Sequence, residues 1–232
     1  MWMRKQRETV AVAVDAKTIS CSLIRSRDQF PFELVGYRNV SLAAGTLDGT
    51  RLFNPTALQS IISAFAREHD LTEGQQLLIS LGYPMAQQKM SVHALAHLDP
   101  SSCTGGACGC DWQRCYLHPD NAGNFVHYAC GIPQTLRLQW QLVAQKIGMQ
   151  LAVLTADQMA LLTVYQAMYG SAFRQSQLAV HMAQTGNVID NLFTIDSLAR
   201  LLYVPGALRV DRYRERQQLL IACGLSFFQE SR

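Results

Sequence analysis

The chain has 232 residues, a formal net charge of +3 and a pI of about 8.5. Hydrophobic residues make up 49% and charged residues 16%, which excludes a disordered or solvating chain. No apolar run reaches the roughly 18–20 residues of a membrane-spanning helix, and so small a positive surplus does not by itself point to nucleic acid.

Met1–Glu8 has the basic start of a signal peptide, but neither an apolar core nor a small-residue cleavage site follows. The chain is therefore expected to stay in the cytoplasm, with its seven cysteines reduced. Thr9–Val14 reads as a strand from its β-branched content and its bounding Asp15, and Ile19–Ser26 as its hairpin partner. Glu33–Ser41 gives a third strand, and Ala43–Thr50, with Gly45 and Gly49, a loop. A helix follows, with Asn54 as N-cap and Pro55 at its first position. Leu58, Ile61, Ile62 and Phe65 repeat with helical period, and Gln76–Leu81 suits a buried strand.

The middle of the chain is more polar. Gln88–Leu98 is weakly strand-like, and Asp99–Gly123 reads as a Gly-rich loop or small insert that holds four of the seven cysteines. Asn124–Ala129 is a short strand. Pro133 opens a helix to about Gly148, with Leu136, Trp140, Val143 and Ile147 as its apolar stripe. Leu151–Leu154 is a buried strand. Thr155 and Gln158 have the spacing of a capping box for a helix running to Gly170, with Met159, Leu162 and Tyr165 inward. Leu178–Met182, Val188–Ile195 and Ala199–Val204 read as strands, and Arg212–Cys223 as a final helix. Strands alternating with helices make this an α/β chain.

Three features carry candidate chemistry. Asp15-Ala16-Lys17-Thr18 closes the first hairpin. A strand ending in aspartate and a tight polar turn can hold Mg²⁺ and phosphate, the carboxylate meeting the metal's water shell and turn N–H groups the phosphate. The other reading is an ordinary hairpin with a charged turn, since alanine and lysine stand where backbone would have to meet phosphate. Cys103, Cys108, Cys110 and Cys115, with His118 and His127 nearby, suggest structural zinc, a redox-sensitive loop, or a local tip without chemistry. Four arginines between Arg209 and Arg216 could meet acidic lipid or protein, or form a solvated helix face with Asp211 and Glu215.

Several segments taken in order resemble the PilM/HofM family of type IV pilus and competence systems, actin-like relatives of FtsA. Val10–Arg25 is similar to that family's first hairpin. Ala44–Gly49 followed by Asn54–Leu58 resembles its entry into the first helix, and Leu77–Pro84 the strand before its inserted subdomain. Ala144–Leu162 resembles its strand–helix junction, with Thr155 and Asp157 near the family's aspartate, and Cys223–Leu225 its closing helix. Lys17 departs from the glycine of the first phosphate loop, and Ala179–Ala183 lacks the aspartate and glycine of the second.

The resemblance implies actin-like, ribonuclease H-like lobes. Residues 1–85 and 130–170 would form the first lobe, 86–129 an inserted subdomain with the cysteine-rich tip, and 171–232 a reduced second lobe with a closing helix. It further implies a non-catalytic cytoplasmic scaffold peripheral to the inner membrane, serving pilus, competence or secretion. The scaffold would bind the cytoplasmic segment of a PilN-like single-span protein and other platform proteins, with no nucleic acid and no membrane insertion. Asp15, Ala16, Lys17, Thr18 and Asp157 would be a vestigial nucleotide site, with ATP no longer bound and no cofactor beyond a possible zinc at the cysteines. The partner groove would be bordered by Leu81, Tyr83, Met85, Phe125, His127 and Tyr128. Two alternatives stand beside the scaffold: an actin-like ATPase or phosphotransferase, and a zinc- or redox-responsive regulator.

Overall fold

Valines 10, 12 and 14 point to one side of the first strand and Ala11 and Ala13 to the other, and all five are buried. Such a strand must lie inside a sheet covered on both faces. The computed structural model describes residues 7–26, 32–48, 51–82, 85–93, 109–119, 125–169, 195–206 and 213–230. The first half runs β1 (Arg7–Val14), β2 (Thr18–Ser26), β3 (Phe32–Ser41), the short β4 (Leu47–Asp48) and β5 (Arg51–Leu52), α1 (Pro55–Glu68), and β6 (Gln76–Leu81). Then come β7 (Gln87–His93), β8 (Cys110–Pro119), β9 (Phe125–Pro133), α2 (Gln134–Lys146) and β10 (Gln150–Ala156). The rest is α3 (Asp157–Tyr169), α4 (Ile195–Leu201), β11 (Leu202–Tyr203) and α5 (Tyr213–Glu230).

The main sheet has the order β10-β6-β1-β2-β3-β11. The meander β1–β2–β3 is antiparallel, whereas β6 runs parallel to β1 and β10 parallel to β6. Parallel neighbours need crossovers, and α1 and α2 supply them on one face. There Leu58, Ile62, Phe65, Leu136, Trp140 and Val143 pack on the valines of β1. Asn54 caps α1 as expected, its side chain accepting from the Ala57 N–H at 3.0 Å. Helix α2 ends where Gly148 takes φ +72 and Met149 N–H turns back to Ala144 O at 2.9 Å. On the other face small residues stand among large ones such as Ile24, Leu34, Leu78 and Leu161. Ala11, Ala13, Ala160 and Ala222 let α3 and α5 lie close to the strands and to each other.

The second sheet, β7-β9-β8, is the insert. Gln113 fastens it to the main sheet: its Nε2 donates to Leu154 O at 2.7 Å and its Oε1 accepts from Thr155 Oγ1 at 2.6 Å. Thr155 is therefore the end of a strand and not an N-cap; the helix starts at Asp157, an acid in its first turn. Ala43–Thr50, expected as a loop, contains β4, and Asp99–Gly123, expected as a loop or small insert, contains β8. In β8, pairing along β9 outweighs the polar local composition. Most of Ala199–Val204 is not strand: Leu198 and Leu201 are buried three apart on α4, a helical spacing. The strands expected at Leu178–Met182 and over most of Val188–Ile195 lie outside the described residues.

Among the described residues beyond 171, β11 pairs with β3 at the edge of the main sheet, and α5 packs on α3, β1 and β2. These described elements lie on the main sheet. Among the described residues no helix is long and apolar enough to cross a membrane.

Candidate functional site

Parallel strands β1, β6 and β10 end side by side, so the residues after them meet at one edge of the sheet. Those residues are Asp15, Gly82 and Asp157. Asp15 N–H donates to Thr18 O at 2.9 Å and closes the hairpin. The Asp15 carboxylate folds over the same turn. Its Oδ1 accepts from the N–H groups of Lys17 at 2.7 Å and Thr18 at 2.8 Å, and its Oδ2 accepts from Thr18 Oγ1 at 2.8 Å. The turn N–H groups that a phosphate would use are thus directed at the chain's own carboxylate. Ala16 and Lys17 stand exposed at the tip.

Gly82 bridges the two aspartates. Its N–H donates to Val14 O at 2.8 Å, and a Cβ placed on it would stand 3.0 Å from Asp157 Oδ2 and 3.2 Å from Asp15 Cβ. Glycine leaves the room in which the carboxyls approach. Asp157 as a residue is partly exposed, but its Oδ1 is buried with no hydrogen-bond partner among the described residues. Burial pushes its carboxyl from 3.8 up to about 7; Ser80 draws it down and the negative Asp15 raises it further. Ser80 Oγ lies buried close by, though no hydrogen bond of good geometry reaches it.

Helix α5 covers the site. Asp15 and Asp157, with Ala13, Val14, Gln217, Gln218 and Ile221, line a cleft of about 140 Å³. Gln218 joins two strands, β3 and β2, to the helix: it accepts from Tyr37 OH at 2.9 Å, and its Nε2 donates to Thr18 Oγ1 at 3.3 Å. A line of hydrogen bonds therefore runs from Tyr37 through Gln218 and Thr18 to Asp15. Burial raises the Tyr37 phenol to about 12, so it stays a donor at neutral pH. Neither Gln218 nor Ser80 carries a sequence signal: Ser80 is one polar residue in an apolar run, and Gln218 is the last residue of the polar stretch Arg214–Gln218.

The structure thus brings together Asp15, Thr18 and Asp157 of the expected nucleotide site. Other expected site residues fall elsewhere. Leu81, at the end of β6, and Met85, in the turn after it, belong to the main core and are 0% and 2% exposed. Tyr83 lies outside the described residues, and Phe125, His127 and Tyr128 are placed as backbone on β9. Cys103 and Cys108 are outside them as well. Cys110 and Cys115 lie on β8, where five strand steps separate their backbones by about 16 Å. One zinc ion, with Zn–S bonds of about 2.3 Å, cannot take both, which corrects the four-cysteine set. Among the described residues no three His, Cys, Asp or Glu side chains gather to hold a metal ion. Arg209 and Arg212 are outside the described residues, and half-buried Glu215 and Arg216 lie in the first turn of α5.

No protein-family model matches the sequence, and no curated protein matches it. Solved structures do match in fold. A chain of the PilM-PilN type IV pilus biogenesis complex superposes with a TM-score of 0.55 at 13% identity, over 72% of this chain and 52% of that one. The cytoplasmic domain of EpsL, an inner membrane component of the type II secretion system of Vibrio cholerae, gives 0.43 at 11% identity, over 66% and 57%. Thermus thermophilus RuvC gives 0.39 at 8% identity, over 96% of each chain. The chain spans about half the length of the pilus protein it matches. The likeness is one of fold: this is an α/β, ribonuclease H-like lobe of the actin-like kind, with its mixed sheet and crossover helices.

Proposed function

We propose that the chain is a non-catalytic scaffold of an inner-membrane pilus, competence or secretion platform, cytoplasmic and peripheral to the membrane. It would capture the short cytoplasmic segment of a PilN-like single-span protein. The fold shared with a chain of a PilM-PilN complex supports the class of protein and of partner. The Asp15 turn is the observation that carries the non-catalytic part: its N–H donors and both carboxylate oxygens are already engaged with each other. A phosphate or a hydrated metal would have to displace three hydrogen bonds. Peptide capture needs none of them, since backbone and pocket contacts supply its affinity.

The test starts from gently solubilised inner membranes of the native host. A small single-span protein should copurify, and its cytoplasmic segment, made as a peptide, should bind the pure chain equally with and without Mg-ATP. Binding only with Mg-ATP, or ATP turnover that Asp15→Ala abolishes, would replace the scaffold with the nucleotide-dependent reading. On the scaffold reading Asp15→Ala leaves the partner's affinity unchanged. It should still lower stability by about 1–2 kcal/mol, measured by urea unfolding, because the turn loses its acceptor while water reaches part of it.

A further inference from the structure

Helices α1 and α2 lie side by side on the main sheet, and α2 turns an apolar crest outward. Leu136, Trp140, Val143 and Ala144 form its buried side. Opposite them stand Leu138 and Leu142, one turn apart and 59% and 56% exposed, with Gln134, Gln141 and Gln145 beside them. At about 100° per residue, the exposed Lys146 lies about 80° to one side of Leu138 and the partly exposed Arg137 about 100° to the other. No acid occurs on α2. Phe53, 60% exposed, and the exposed Arg51 adjoin the crest through Gln139, whose Oε1 accepts from the Leu52 N–H at 3.0 Å. Between Asn54 and Ala66, α1 has no ionisable residue. The nearby carboxylates belong to other segments. Asp48 stands opposite Arg51 in the β4–β5 hairpin, and Glu68, Asp70 and Glu73 occur from the end of α1 onward, where Arg38 holds Glu68 at 2.5 Å.

We propose that this crest rests on an anionic lipid surface. Leu138, Leu142 and Phe53 sit at the boundary between headgroups and acyl chains, and Arg51, Arg137 and Lys146 at headgroup level. Apolar side chains along the apex of a helix, with cations on both flanks, are the arrangement that holds a helix flat in a bilayer interface. Charge argues for this occupant: α2 offers cations and amides and no carboxylate, which suits phosphate headgroups. Shape argues for it too. A single helix raises a convex ridge, which a protein partner has to meet with a matching groove, whereas a fluid interface takes any ridge. A second copy is disfavoured by the same cations, which would face their own kind across a two-fold axis. No helix enters the bilayer, since α2 stays packed on the sheet. Three apolar anchors and three cations make a weak contact, so it acts beside partner capture and not in its place. The inference rests on the scaffold reading for the membrane's nearness: on that reading the chain works at an inner membrane, whose cytoplasmic leaflet is anionic.

Flotation of the full chain with vesicles of about 30% phosphatidylglycerol in phosphatidylcholine tests this, against vesicles of phosphatidylcholine alone. Partition should be stronger on the anionic vesicles by about 10-fold or more at low salt, and should fall as salt rises. Leu138→Gln combined with Leu142→Gln should weaken it by about 10-fold or more, and Lys146→Glu by about 5-fold or more on the anionic vesicles alone. All three positions are exposed, so the circular dichroism of these variants should match the parent. Tyr203→Gln, at the exposed β11 edge, should bind as the parent does. Absence of binding to the anionic vesicles overturns the inference. So does equal binding to both kinds, or binding that the leucine and lysine variants leave unchanged. The single-span protein's cytoplasmic segment, offered as a peptide without lipid, reads the scaffold separately and should bind the double leucine variant normally. Loss of peptide binding in that variant, with no vesicle binding by the parent, would give the face to the protein partner and overturn the lipid contact while leaving the scaffold standing.

Discussion

Gly224→Ala is expected to cost about 2 kcal/mol of stability, and Gly224→Leu to prevent folding. Helix α5 crosses α3 with Gly224 laid directly on Ala160. A Cβ at position 224 would stand 2.0 Å from the carbonyl oxygen of Ala160, 2.6 Å from its carbonyl carbon and 3.1 Å from its Cα. All three are backbone atoms of a packed helix, so nothing there can rotate away. In an open helix position the same exchange would gain roughly 1 kcal/mol from helix propensity. The clash must overcome that gain, and it does so only if the helices are as close as described. The neighbours of Gly224 leave no slack, since Cys223 and Leu225 are fully buried and Ala222 nearly so. Urea unfolding followed by circular dichroism measures the loss, with the exposed Ser60→Ala as a control expected to be neutral. If Gly224→Ala proves as stable as the parent, the α3–α5 crossing is wider and the cleft beneath α5 loses its roof.

The meander β1–β3, α1, β6, α2, β10 and α3 were legible in the sequence because each signal is local. Alternation in Thr9–Val14, the Asn54-Pro55 start and the Leu136–Ile147 stripe depend on neighbours a few residues away. What failed was decided at long range. Strand β8 exists because β9 pairs with it, and nothing between Asp99 and Gly123 announces that partner. Thr155 has the residue type and spacing of a cap, but Gln113, 42 positions earlier in the chain, claims its hydroxyl. The packing of α5 on the main sheet, through small residues on β1 and α3, is likewise a long-range contact that no local signal announces. The site was half legible. Asp15 and Asp157 each end a readable strand, and resemblance brought both to notice. Gly82, Ser80 and Gln218, which set the spacing and burial of the carboxyls, become visible only once three strands and a helix converge.

The strongest pH dependence should come from Asp157. Its carboxyl rises from 3.8 to about 7 in the folded protein, chiefly through burial. The folded chain then holds this proton more tightly than the unfolded chain does. Its contribution to stability is greatest below about pH 4, falls as the pH climbs towards 7, and is level above that. The full shift corresponds to roughly 4 kcal/mol; partial exposure of the residue reduces the expectation to about 2–3 kcal/mol. Asp157→Asn removes the titration and keeps the shape. Other carboxylates titrate in the same range, so the informative quantity is the difference between variant and parent. Asp157→Asn should gain about 2–3 kcal/mol relative to the parent at pH 8 and almost nothing at pH 4, read from urea midpoints. The groups facing this carboxyl explain why the gain is not cancelled: β1 brings the like charge of Asp15, β6 the neutral Ser80, and α5 the neutral Gln217 and Gln218. A difference that stays constant from pH 4 to 8 would sink this account of Asp157. It would also bear on function. A carboxyl that is half protonated at neutral pH is a poor anchor for a metal's water shell, which favours capture over turnover. If Asp157 instead ionises at an ordinary carboxylate pH, two negative carboxylates stand at the strand ends, and the nucleotide-dependent reading regains its chemistry.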